Sequence, residues 1–210
     1  MFIELVDALR CPVAHEESGL VAAAIRMEAR HIVEGTLGGP VCSAEDPIRH
    51  GVVDFRRGAW QRPAEDVPHD PAVAMRLAAM LDLAGAHGFA VLLGTWGSHA
   101  AELSGIVETP LILIDPPANV TGAPGISVVR CDGAIPLAAG AARAMAIDDG
   151  GPPRVASAVR ATRPKGRVLA PLSVELPTGV RQLARDESVW VGERESVSSP
   201  LVTLHVRRGI

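Results

Sequence analysis

The chain has 210 residues, 24 acidic against 20 basic side chains, a formal charge of -4, three cysteines and 48% apolar residues. That is enough for one ordinary domain, or a domain with a small module attached, and it excludes disorder over most of the length. A pI near 6.0 with three Trp, three Phe and no Tyr argues against general nucleic-acid binding by charge or by base stacking.

Residues 1–58 hold two of the three cysteines and three of the seven histidines in a turn-rich pattern, and read as a small module. The first stretch, MFIELVDALRCP, carries Glu4 and Asp7 before its Arg, the wrong charge order for a secretory signal. Gly, Pro, His and charge interrupt every apolar run short of the roughly 20 residues of a spanning helix, so no membrane insertion is expected. Three unevenly spaced cysteines make no disulfide framework, and a reducing cytoplasm is the expected setting. Residues 59–69, with two prolines and mixed charges, read as a linker, and 70–210 as the larger domain.

In that domain Asp70-Pro71 predicts an N-cap followed by a helix to Gly85, with Val73, Leu77 and Leu81 on one face. Phe89-Ala90-Val91-Leu92-Leu93 reads as a strand buried on both faces, and Gly94-Thr95-Trp96-Gly97 as a turn into a helix over 98–107. Pro110-Leu111-Ile112-Leu113-Ile114, then 126–131 and 142–147, read as further strands. Pro152-Pro153 opens a helix to Arg163, and Arg167-Val168-Leu169-Ala170 resumes the sheet. In the tail 180–185 reads as a short helix, with 189–193 and 201–207 as an antiparallel pair. The sum is an α/β fold: a Rossmann-like doubly wound sheet with an antiparallel edge hairpin, preceded by a small β-rich module.

In such sheets ligands bind beyond the carboxyl ends of strands. Four strand ends are candidates. Gly94 and Gly97 would let a cofactor approach the backbone, or simply make a tight turn. Asp115 lies about 20 residues after the first glycine, where an acid accepts from ribose hydroxyls, and Asp115-Pro116-Pro117 is equally good turn chemistry. Asp132, in Cys131-Asp132-Gly133, could accept from an exocyclic amine of a base or cap a turn. Asp148-Asp149-Gly150 places two acids pointing different ways, which suits a solvated turn better than a carboxylate dyad.

The order of these pieces resembles the class I S-adenosylmethionine-dependent methyltransferases over about residues 70 to 208. Val91-Leu92-Leu93-Gly94-Thr95-Trp96-Gly97 stands at that family's glycine-rich first motif, Asp115 at its ribose-binding acid, and 131–137 at its "D-A-x-x-L-P-F" segment. Residues 158–169 are similar to its "L-(K/R)-P-G-G-x-(L/V)" step. The resemblance implies S-adenosylmethionine held by Gly94, Gly97, Asp115 and Asp132. Departures weigh against binding: the first motif lacks its acid at Leu92 or Leu93, and Trp96 brings a bulky ring where glycine is usual.

Residues 5–15 and 39–55 resemble the small Trm112-type zinc ribbons, which dock on methyltransferase domains. Cys11 and Cys42 each keep one cysteine of a C-x-x-C knuckle, while Ala14 and Gly39 stand in the other places and cannot ligate. His15 could replace a thiolate, with His31 or His50 as a fourth ligand. The expectation is nonetheless a ribbon without zinc, held by Phe2, Leu5, Leu9, Ile48, Val52 and Val53, and docked in cis around Leu5, Leu9 and Val53 because so small a module has little core.

With both motifs eroded, the expected function is a noncatalytic binding or structural subunit acting with a protein partner or a second copy of itself. The alternative is an active S-adenosylmethionine-dependent methyltransferase of unknown acceptor.

Overall fold

The structure, a computed structural model, describes residues 1–58, 63–64, 70–85, 87–148 and 151–196. Most of the 59–69 linker, residues 149–150 of the fourth strand-end cluster and the tail strand at 201–207 therefore lie outside the described residues. In chain order the elements are α1 (Leu5–Ala8), β1 (Val21–Glu28), β2 (His31–Gly38), β3 (Glu45–Arg49), β4 (Val52–Asp54), α2 (Pro71–Met80) and β5 (Ala90–Leu93). A 3-10 helix (Gly94–His99) leads into α3 (Ala100–Ser104), β6 (Leu111–Ile114), β7 (Ile126–Arg130), β8 (Ala142–Ala146), α4 (Pro152–Ala161), β9 (Thr162–Pro171), β10 (Val180–Arg185) and β11 (Val189–Arg194). No helix among the described residues is long and apolar enough to cross a membrane.

These strands form one sheet in the order β1-β2-β3-β4-β7-β6-β5-β8-β9-β11-β10. From β4 to β9 neighbouring strands run parallel, while β11 is antiparallel to both β9 and β10. This is the doubly wound sheet with an antiparallel edge hairpin. Its centre follows from unbroken apolar runs: every residue of β5 and β6 is buried, because helices or loops cover both faces. Alternation then sorts them, Val91, Leu93, Ile112 and Ile114 to one core and Ala90, Leu92, Leu111 and Leu113 to the other. Helices α2 and α3 cover the second face, with Leu77 and Leu103 pointing in. The Asp70 carboxylate caps α2 by accepting the Ala72 N–H at 2.8 Å.

The N-terminal residues extend this sheet. Val52, Val53 and Asp54 pair in register with Val128, Val129 and Arg130. The crossover from β7 to β8, residues 131–141, contains no helix, and α1 takes that place on the sheet face. Ala138 N–H donates to the Ala8 carbonyl at 2.8 Å, Arg10 N–H to the Pro136 carbonyl at 2.9 Å, and Leu9 bridges to Leu137. Leu5, Leu9, Ile48 and Val53 are buried in the same core as Val91 and Val168, while Phe2 and Val52 are half-buried.

Two expectations are corrected. Residues 180–185 form edge strand β10 rather than a helix: Val180 and Leu183 fit helical spacing, but hydrogen bonding to β11 overrides so short a pattern. Among the described residues the antiparallel partners of β11 are β9 and β10, and the partner expected at 201–207 lies outside them. The helix expected over 98–107 is replaced by the 3-10 turn and a five-residue α3.

Because Leu9 is wholly buried between the N-terminal segment and the 131–141 crossover, Leu9→Ala should lower stability by about 2–5 kcal/mol. In urea it should shift one cooperative transition. A second, earlier transition belonging to residues 1–58 alone would show that the two parts do not share a core.

A bridged crevice and a cysteine-histidine cluster

The doubly wound sheet reverses direction at β5: β6 lies on one side and β8 on the other, so the ligand crevice opens beyond their carboxyl ends. Gly94 follows β5 with φ 54°, a left-handed backbone that suits glycine and turns the chain sharply into the 3-10 helix. Two residues on, the Trp96 indole N–H donates to the Ile147 carbonyl at 2.9 Å. The ring thus ties the end of β5 to the end of β8 and packs on the core that contains Leu77 and Val189. Gly97 is held for close packing: a Cβ there would lie 2.8 Å from the Pro116 Cβ.

Asp115 follows β6 with φ 47°, a conformation Asp tolerates, and its side chain is buried, the residue being 4% exposed. One carboxylate oxygen accepts the Cys131 N–H at 3.0 Å, and the other accepts from the Arg154 guanidinium at 2.6 Å. Arg154 sits in the first turn of α4, after Pro152-Pro153, with its side chain 14% exposed. Burial works to lower its pKa, and Asp115 together with Cys131 and Asp148 more than offsets that, leaving it raised. Burial also pushes the Cys131 thiol far up, with Asp115 adding to the effect, so it stays protonated. The acid expected to serve a ribose is thus engaged by the protein's own N–H and guanidinium groups.

Asp132 is exposed and accepts the Arg57 N–H at 3.2 Å, so it binds the loop after β4. The same loop places the Arg56 guanidinium on Asp54 at 2.5 and 2.8 Å and the Arg57 guanidinium on buried Asp46 at 2.7 Å. Burial works to raise the Asp54 pKa, but its bonds to Arg56 outweigh it and hold the carboxyl below its ordinary value. Asp148, after β8, is buried. Sequence reasoning missed Arg56, Arg57 and Arg154. Only Arg154 left a signal, since a cation in the first turn opposes the helix dipole and needs an acid to justify it.

Cys11, His15 and Cys42 converge, with ligand atoms all within 4.8 Å of one another. Cys11 Sγ lies 3.5 Å from Cys42 Sγ and 3.2 Å from His15 Nε2. Backbone bonds pin both loops: Cys11 N–H to the Ser18 carbonyl at 3.0 Å, and Gly39 and Ala44 closed by a 2.8 Å bond around Cys42. The Ala44 N–H is the main cause of a lowered Cys42 pKa, whereas burial and the neighbouring Cys42 raise that of Cys11. His31 and His50 lie outside this group. His31 packs against the Phe2 ring, and His50 stands by Glu34, towards the other end of the β2–β3 hairpin.

No protein-family model and no curated protein matches the chain. Solved structures do. One is the complex between the Haloferax volcanii Trm112 methyltransferase activator and a methyltransferase, at 10% identity and TM-score 0.46, over 59% of this chain and 90% of that one. Others are the antibiotic-resistance methyltransferase Kmr, at 16% and 0.41 over 65% and 98%, and an O-methyltransferase of Thermotoga maritima, at 11% and 0.44 over 65% and 69%. At these scores the fold rests on the strand order itself.

Removing Asp115 leaves a buried guanidinium without its acid, so Asp115→Ala should cost about 3–5 kcal/mol by urea unfolding. Asp115→Ala combined with Arg154→Met should recover much of that loss. Additive losses in the double variant would show that the two side chains are not coupled.

Proposed function

We propose that the protein is a methyltransferase-fold chain that has exchanged its cofactor contacts for internal ones and acts as a noncatalytic binding or structural subunit. The observation that carries this reading is the Asp115–Arg154 pair at 2.6 Å. For S-adenosylmethionine to hydrogen-bond Asp115 through its ribose, the pair would have to part and leave a charge unmatched in a buried place. Trp96 supports the reading, because its bond to Ile147 ties together the two strand ends between which a ligand would enter. A subunit role fits the edge of the sheet: among the described residues β1 pairs only with β2, and it exposes Val21, Ile25 and Met27, with Ile25 83% exposed.

Calorimetric titration with S-adenosylmethionine and S-adenosylhomocysteine should show no heat of binding at about 10–100 μM. Arg154→Ala, which frees the acid, should leave that result unchanged while Trp96 keeps its bond. A micromolar dissociation constant in the native protein, lost in Asp115→Asn, would instead establish an S-adenosylmethionine site at Asp115 and overturn the exchange of cofactor contacts for internal ones.

A further inference from the structure

The Cys11, His15 and Cys42 cluster is separate from the crevice and has the chemistry of a metal centre. A tetrahedral zinc ion about 2.3 Å from sulfur and 2.0 Å from nitrogen holds its ligand atoms roughly 3.5–3.8 Å apart. The observed Cys11–Cys42 and Cys11–His15 separations of 3.5 and 3.2 Å differ from those edges by only a few tenths of an ångström. The His15 tautomer suits ligation. Its Nδ1 lies 2.5 Å from the Glu16 carbonyl, which can only accept, so Nδ1 carries a proton and Nε2, on the sulfur side, is the nitrogen whose lone pair a neutral ring offers to an ion. The two thiols come from loops 31 residues apart, and backbone bonds fix both before any ion arrives.

Gly39 packs against the sulfur pair and offers no ligand of its own: a Cβ built there would lie 2.8 Å from Cys42 Sγ and 3.3 Å from Cys11 Sγ. Closed structural zinc sites use four protein ligands; three leave a position for an exogenous one.

We propose that Cys11, His15 and Cys42 bind a thiophilic divalent ion of the zinc class in an open site, whose fourth position accepts a small thiolate from outside the chain. The donor set, two thiolates and one neutral imidazole, suits zinc and excludes magnesium and calcium, which take oxygen ligands. With zinc the three-ligand site is neutral, so a thiolate completes it without accumulating more than one negative charge. This replaces the expectation of an empty ribbon and is independent of what the crevice binds.

The full-length protein, reduced and under argon, is titrated with Co2+ as a visible probe of zinc sites. One ion per chain should bind, giving tetrahedral ligand-field bands and sulfur-to-cobalt charge transfer, and zinc should displace it. Cys42→Ser and Cys11→Ser should each abolish the charge-transfer band, and His15→Ala should weaken binding by about tenfold or more. Adding 2-mercaptoethanol should shift the bands of the wild-type complex. Absence of cobalt binding to the wild type would overturn the metal site. A bound ion whose spectrum ignores thiol in the wild type would overturn the open position.

Discussion

The uncovered side of β7 is the constraint around which the molecule is built. A parallel strand buried on both faces needs a hydrogen-bonding neighbour on each edge and apolar cover above and below, and the 131–141 crossover supplies no helix to give that cover. The three residues of β4 satisfy the edge, and α1 with Leu9 satisfies the face. Each backbone group so paired would otherwise be an unmet donor or acceptor at the margin of a dry core. The N-terminal segment is therefore part of the sheet's architecture, and the apolar residues that a fifty-residue module could not bury by itself are buried against β7 and its crossover.

The same joint shapes the crevice. The loop that leaves β4 delivers Arg56 and Arg57 to the carboxyl end of β7, where Asp54, Asp46 and Asp132 receive them. Across the sheet, Arg154 reaches back from α4 to Asp115. Acids at strand ends, which in an open sheet would face a ligand, are answered here from within the chain. Such matched groups raise the cost of admitting a competing polar molecule, because each must give up its hydrogen-bond partner, a guanidinium at Asp46, Asp54 and Asp115, before it can take another.

Sequence reading recovered what local pattern encodes. The central strands β5 and β6 were legible because apolar runs bounded by Gly and Pro have few other uses, and α2 because Asp70-Pro71 carries its own start signal. Edge strand β10 was not, since an exposed strand has no buried face to impose alternation and its six residues serve either period. β1 was illegible for the same reason. At the crevice Asp115 was found by its spacing, whereas its partner stands 39 residues away, and the cation in the first turn of α4 marks the need for an acid without saying which one. The cysteine-histidine cluster was half legible: Cys11, His15 and Cys42 were named, but only the folded loops show that they meet while His31 and His50 stay apart.

Pairing β4 with β7 also orders events during synthesis. The hairpins of β1 to β4 leave the ribosome long before Val128 and Val129 exist, so Leu9, Ile32 and Val53 emerge with nothing to cover them. At about 5–20 residues per second that interval lasts several seconds. Contacts so distant in sequence close slowly, because the intervening loop must first be ordered. The nascent chain thus passes through a stage with an apolar face and an unpaired strand edge on view, and the segment from β1 to β4 is the one that would call on a holding chaperone before β7 arrives.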